Sequence, residues 1–240
     1  MNMAPMGSML LWTLAAGACI PLGGWLASVE RIRPKWLEQE LRHFVMAFGG
    51  GVLLAAVALV LLPQGVAAVQ QPWAVVACVM AGGVGFFALE RWLGLHQQAA
   101  PQMLAMLLDF VPESLALGGV FITGSPAAPL LAVLIGLQNL PEGFNAYREM
   151  VAKGRPPGAV LRRMCWLACL GPVLAWGGWL VLGSAPAVLG GLMLVASGGL
   201  LYLVFQDIAP QAVLKRHWFP SLGAVSGFSL ALLGQLLFGA

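Results

Sequence analysis

Charge is what this chain lacks most. Only 9% of its 240 residues are Asp, Glu, Lys or Arg, where a soluble domain carries about 25%. So few charged groups cannot clothe a water-exposed globule of this size, which excludes an ordinary soluble protein. Histidine is nearly missing, with three residues, and tyrosine has two. The four cysteines, Cys19, Cys78, Cys165 and Cys169, lie in or beside apolar segments, and no histidine joins them in a metal-ligand spacing. They are expected to be small buried packing residues. No Gly-x-Ser-x-Gly, His-Glu-x-x-His or catalytic Ser/Lys pair is present, so the chain is not read as an enzyme. Residues 1–8 carry no Lys or Arg, the basic start of a cleaved signal peptide. The first apolar segment is therefore expected to stay in the mature chain.

Apolar residues and glycine fill the space that charge leaves, at 60% and 31 residues. Glycine at this density suits membrane helices that pack closely. Eight apolar runs, 9–29, 44–69, 73–95, 103–123, 130–147, 165–182, 187–213 and 219–238, each approach the ~20 residues needed to cross a bilayer. The second and seventh are long enough to be tilted, or broken at Pro63 and Pro210. Placing the basic residues between these runs puts all 12 on one side: Arg31, Arg33, Lys35, Arg42, Arg91, Arg148, Lys153, Arg155, Arg162, Arg163, Lys215 and Arg216. The alternate connections, residues 70–72, 124–129 and 183–186, hold none. The rule that basic loops stay inside then puts both termini outside. A missed or invented span would scatter these charges. The net charge of +3 reports topology, and nucleic acid is not an expected partner.

Two stretches interrupt the apolar pattern. Asp109-Phe110-Val111-Pro112-Glu113-Ser114 and Gln138-Asn139-Leu140-Pro141-Glu142-Gly143 share one layout, a polar side chain followed four residues later by Glu, with Pro just before it. Positions i and i+4 share a helix face, so Asp109/Glu113 and Gln138/Glu142 each form a two-pronged polar edge. Proline has no N–H, so Pro112 and Pro141 deprive the carbonyls of Leu108 and Leu137 of their helical donors. A carboxylate in the membrane interior costs roughly 2.5–3.5 kcal/mol on insertion scales, and ionisable residues there default to function. Oxygen ligands beside a helix irregularity suit a hard or borderline cation. Three carboxylates repel, which favours keeping a proton among them until a divalent cation displaces it.

The chain also resembles itself. Gly50-Gly51-Val52-Leu53-Leu54 leading to Leu62-Pro63-Gln64-Gly65 echoes Gly198-Gly199-Leu200-Leu201 leading to Ala209-Pro210-Gln211-Ala212. The Pro112-Glu113 stretch echoes Pro141-Glu142 in the same way. By the charge rule each echo pairs an outward with an inward span, the construction of inverted-repeat transporters. The expected architecture is all-α, with eight transmembrane helices in a 3+2+3 inverted-repeat arrangement within one domain spanning residues 1–240. Its first triplet covers about 9–95, its central pair about 103–147 and its second triplet about 159–238.

At these residues the sequence resembles the ZIP (Zrt/Irt-like) divalent metal transporter family, which has a His-Asn-x-Pro-Glu-Gly-type motif in spans four and five. Residues 109–114 and 138–143 stand at those positions. Phe48-Gly49-Gly50-Gly51-Val52-Leu53 through Pro63-Gln64, Leu89-Glu90, and Gly199-Leu200-Leu201-Tyr202 through Pro210 extend the likeness over most of the chain. The resemblance implies eight spans, outward termini and a metal site between spans four and five that moves by rocking of two helix groups. The departures are specific. Asp109 stands where the family has histidine, Phe110 where it has asparagine, Ser114 for glycine, and Gly171-Pro172 for a Glu-Pro pair that contributes to a second metal. The histidine-rich loop after span three is reduced to about residues 95–102, with His96 alone. A single metal at a carboxylate-rich site is therefore expected.

The expected function is a transporter moving a divalent transition metal, zinc-like or else iron, manganese or cadmium, into the cytoplasm. The alternative is a ZIP-fold carrier repurposed for another cationic substrate. Metal candidates are Asp109, Glu113, Gln138, Asn139 and Glu142, with Asp207 and Asn145 on a release path. Gln138 shares the face of Glu142, while Asn139 reaches a neighbouring or second position. Glu90 with Arg91, and Arg148 with Glu149, read as solvated helix ends or ion pairs. The histidines, His43, His96 and His217, lie near basic loops and are poor ligand candidates. The metal is cargo, and no resident cofactor is expected. Expected partners are that ion and the lipid bilayer, with a homodimer as a candidate assembly. The expected location is the bacterial cytoplasmic (inner) membrane.

Overall fold

The computed structural model describes residues 3–30, 35–96, 101–182, 185–212 and 219–238. Arg31, Arg33, Lys215, Arg216 and His217, together with the side chains of Lys35 and His96, lie outside what is described. Eight helices form, with no strand among the described residues. They are α1 (Met3–Val29), α2 (Lys35–Ala55, continuing through Ala56–Leu61 and Leu62–Val69), α3 (Pro72–His96) and α4 (Pro101–Ile122). Then come α5 (Ala127–Ala152), α6 (Pro157–Leu182), α7 (Pro186–Leu203, continuing through Val204–Ile208 and Ala209–Ala212) and α8 (Phe219–Phe238). Four of the eight begin at Pro, a residue whose missing N–H costs nothing in the first turn. Gly124 and Gly154 take positive φ in the turns after α4 and α5, where a side chain would be strained.

Among the described residues, six helices are long and apolar enough to cross a membrane: Met6–Val29, Gln39–Val69, Pro72–Trp92, Pro157–Leu182, Pro186–Ala212 and Phe219–Leu237. The protein is a multi-span helical membrane protein. The remaining two helices, α4 and α5, carry Asp109, Glu113, Gln138, Asn139 and Glu142. Burial follows the same division. α2 and α7 are mostly interior and α3 almost wholly peripheral, while α5 buries residues along nearly its whole length. Large apolar side chains face outward, Trp73 at 85% and Trp166 at 73% exposure among them. In water such a surface would aggregate; against lipid it is the preferred one.

Neither long helix breaks at its proline. α2 widens to π winding over Ala56–Leu61 and α7 over Val204–Ile208, each just before Pro63 or Pro210. The extra residue per turn lets the ladder step past a missing donor without a gap, so of the two expectations, tilt or break, the break does not occur. α4 and α5 likewise stay helical through Pro112 and Pro141. The cysteines depart from expectation. Cys165 and Cys169 are exposed on α6 and Cys19 and Cys78 are half-buried, all four as free thiols. A thiol is apolar enough to face lipid as readily as protein.

Helix pairing has an internal symmetry. α1 packs on α5 and α6, α4 on α5 and α6, α2 on α7 and α8, and α3 on α7; α2 also meets α5, and α4 meets α7. Exchanging α1 with α6, α2 with α7, α3 with α8 and α4 with α5 turns this set of contacts into itself. The seams repeat the same device. A Cβ added at Gly23 of α1 would lie 2.1 Å from the Leu140 carbonyl, and one at Gly143 of α5 2.2 Å from that of Ile20. The exchanged seam matches it: Gly118 of α4 would meet Ala175 O at 1.9 Å, and Gly178 of α6 would meet Leu115 O at 2.0 Å. Reciprocal glycines at Gly82/Gly198 and Gly51/Gly227 close the α3–α7 and α2–α8 seams in the same manner. Backbones this close leave room only for glycine, the standard means of close helix approach in lipid.

Candidate functional site

The polar residues of α4 and α5 meet inside the bundle. Asp109, Glu113 and Ser114 of α4, and Gln138, Asn139 and Asn145 of α5, are all buried, with Glu113, Gln138 and Asn139 at 0% exposure. Glu142 keeps part of its surface accessible, although its Oε2 is buried. The i, i+4 spacing puts each pair on one face, and the crossing of α4 over α5 brings the two faces together. Gln138 Nε2 donates to Glu113 Oε2 at 2.6 Å. Asp109, Glu113 and Glu142 lie close enough together to feel one another's charge. The backbone N–H of Phe110 donates to Asp109 Oδ1 at 2.7 Å.

Asn139 points elsewhere. Its Nδ2 donates to the Ala16 carbonyl of α1 at 2.9 Å, bonding two helices as membrane amides commonly do. Of the polar residues in the two stretches, the structure gathers Asp109, Glu113, Gln138 and Glu142 and sets Asn139 beside them on the α1 side. Asn145, one turn past Glu142, is buried.

What distinguishes the cluster is a surplus of acceptors. Among the described residues, the buried side-chain polar atoms without a hydrogen-bond partner are Glu113 Oε1, Gln138 Oε1, Asn139 Oδ1, Glu142 Oε2, Asn145 Oδ1 and Gln235 Oε1. All are oxygens, and five of the six belong to α5 or to the carboxylate facing it. An unpaired buried acceptor costs about 1–3 kcal/mol, more when charged. Chemically, oxygens converging without donors can accept protons, water or a cation. Among the described residues, no group of three or more His, Cys, Asp or Glu stands in an arrangement that could hold a metal ion. Of the carboxylates, Glu113 is tied to Gln138, and a cation would have to open that bond.

Phe110 is 1% exposed, and its ring seats on Gly171 of α6, where an added Cβ would come within 2.9 Å of Cζ. An apolar plug thus flanks the cluster on the α6 side. Asp207 lies within charge–charge reach of Glu90, and Tyr202 donates its hydroxyl proton to Glu90, so its surroundings belong to the α3–α7 seam. Sequence reading had left Glu90 as a solvated helix end; the clue to its partner was one of only two tyrosines falling within a span. Arg148, read from sequence with Glu149 as a solvated helix end or ion pair, reaches Glu30 beside α1 at 2.6 Å, and Lys153 bonds Glu149 at 2.5 Å. His43 Nδ1 lies 2.6 Å from the Gln39 carbonyl, away from the cluster.

No protein-family model matches this chain, and no curated protein matches it.

Proposed function

We propose that the protein is a transporter that moves a divalent transition-metal cation into the cytoplasm through the oxygen cluster between α4 and α5. The observation that carries this reading is the set of five buried, donorless oxygens on Glu113, Gln138, Asn139, Glu142 and Asn145. Two of them belong to carboxyl groups of the cluster and three to amides of α5, in a membrane interior where uncompensated anions are expensive. A cation satisfies anions and acceptors at once, and protons can hold its place between transport cycles. Oxygen donors of this kind suit manganese or iron as well as zinc.

The cargo would bind with Asp109, Glu113, Gln138 and Glu142 as ligands, with Asn139 at the edge and Asn145 along the way out. Phe110 seated on Gly171 supports one metal over two, since the ZIP resemblance puts a glutamate that contributes to a second metal at the Gly171 position. The exchange symmetry of the helix contacts supports the 3+2+3 inverted repeat, with outward termini following from the basic residues. The same contacts divide the bundle into α1, α4, α5 and α6 against α2, α3, α7 and α8, two bodies suited to rocking around the cluster. Asp207, with Glu90, is suited to the inner mouth.

The test is zinc and manganese uptake into proteoliposomes by the wild type and by Glu142→Gln, which keeps shape and removes one charge. Apparent metal affinity is expected to fall by roughly 10–100-fold or more, since losing even an outer partner of a metal ligand has that effect. Unchanged uptake would make the carboxylate structural. Asp109 in place of histidine favours a second reading, a ZIP-like carrier repurposed for another cation, which that outcome would promote.

A further inference from the structure

A cavity of about 320 Å³ opens in the seam between α1, α2 and α5, away from the carboxylate cluster. Its walls are Leu26 of α1, Leu41, Val45 and Phe48 of α2, and Leu137, Leu140, Pro141 and Phe144 of α5, while Glu30, Arg42 and Arg148 stand among its lining residues. The charged three sit together at one end of their helices. Glu30 directly follows α1, Arg42 is in the early turns of α2 and Arg148 is in the last turns of α5. The slot is therefore apolar along its depth and charged at its rim, at the level where a span leaves the bilayer.

The rim chooses the sign of its occupant. Arg148 is bonded to Glu30 at 2.6 Å and lies over the Phe144 ring at 5.7 Å. Two arginines and one glutamate leave one net positive charge, and guanidinium groups are the preferred partners of phosphate oxygens. The volume lies within the ~300–1,000 Å³ range of ligand cavities. Basic pockets between transmembrane helices take anionic lipid headgroups.

We infer that this seam is a binding site for an anionic phospholipid, with one acyl chain in the Leu26–Val45–Leu140 slot and its phosphate on Arg42 and Arg148. The bound chain touches Pro141, the residue before Glu142, at the place where α5 leans on α2 and where a Cβ on Gly49 would lie 2.8 Å from Pro141 Cγ. A lipid there sits between the two helix bodies and bears on the backbone that carries Glu142. Binding itself is independent of what the central cluster transports.

The experiment uses the full chain in nanodiscs of phosphatidylcholine containing phosphatidylglycerol, with native mass spectrometry reading the lipids retained on release. The wild type is expected to retain one phosphatidylglycerol in preference to phosphatidylcholine. Arg42→Ala should lower that preference about fivefold, the worth of one basic residue at an anionic surface, and Arg42→Lys should recover part of it. Val45→Trp fills the slot below an intact rim and should abolish retention; Leu41→Trp serves if that variant does not fold. Arg162→Ala, on the same basic side but outside the slot, should behave as wild type. An equal loss in Arg162→Ala and Arg42→Ala would reduce the effect to diffuse attraction and overturn the site. So would full retention in Val45→Trp, or palmitate displacing phosphatidylglycerol at equal concentration.

Discussion

At Asp109, two features decide how the proposed function can be tested. Its carboxyl lies within charge–charge reach of Glu142, and the proposed ZIP likeness puts a histidine at its position. Imidazole is a softer ligand than carboxylate, so Asp109→His should shift preference from manganese toward zinc. Competitive uptake of the two ions reads this directly, and an unchanged ratio would place Asp109 outside the ligand set. Protonation acts on the same residues. Metal and proton compete for Asp109, Glu113 and Glu142, so uptake should fall as the pH is lowered and recover as it is raised. In Glu142→Gln the dependence should flatten, because one competing carboxylate is gone. The two Pro-Glu stretches were legible as sequence because charge is so rare here. The partners were not, because spacing along one helix says nothing about which residue of another helix lies opposite.

Among the elements, the glycines of the seams carry the sharpest prediction. Gly143→Ala would drive a Cβ to 2.2 Å from the Ile20 carbonyl, so α1 and α5 must separate, at a cost of about 1–3 kcal/mol. Gly191→Ala on α7 meets nothing within 4 Å and gains helix propensity of roughly 0.5–1 kcal/mol. Thermal unfolding in detergent should therefore show Gly143→Ala destabilised and Gly191→Ala neutral or stabilised. Both glycines look alike in sequence, since only the neighbouring helix distinguishes them. The prolines of the long helices teach a related lesson. Pro63 and Pro210 left tilted or broken helices as alternatives, and π turns over Ala56–Leu61 and Val204–Ile208 keep the helices unbroken. A proline removes one donor, but whether the helix breaks or rewinds depends on the walls around it. α2 and α7 are the mostly buried helices that meet across the exchange symmetry.

For the whole molecule, topology is the measurable property. In a background without the four natural cysteines, Lys153→Cys should react with a membrane-impermeant thiol reagent only from the inside. Gln71→Cys and Ser125→Cys should react only from the outside. Labelling of Lys153→Cys and Gln71→Cys from the same side would overturn the eight-span arrangement. The contact symmetry makes a stronger demand, that α1–α3 and α6–α8 be two copies of one unit pointing opposite ways. An experimental structure in which these triplets failed to superpose would remove the inverted repeat.

The sequence by itself determined that the chain lives in a membrane as a bundle of helices, because bilayer thickness and backbone hydrogen bonding act on each segment separately. It also located the polar residues worth watching, since a charge in an apolar run is conspicuous without any partner. Tertiary structure alone decided that Asp109, Glu113 and Glu142 gather while Gln138 bonds Glu113, that Asn139 serves α1, and that Phe110 closes on Gly171. It alone brought Arg148 to Glu30 and made a charged-rimmed slot beside Pro141. These are relations between helices far apart in the chain. They arise only when reciprocal glycines let the backbones approach and so fix which faces meet.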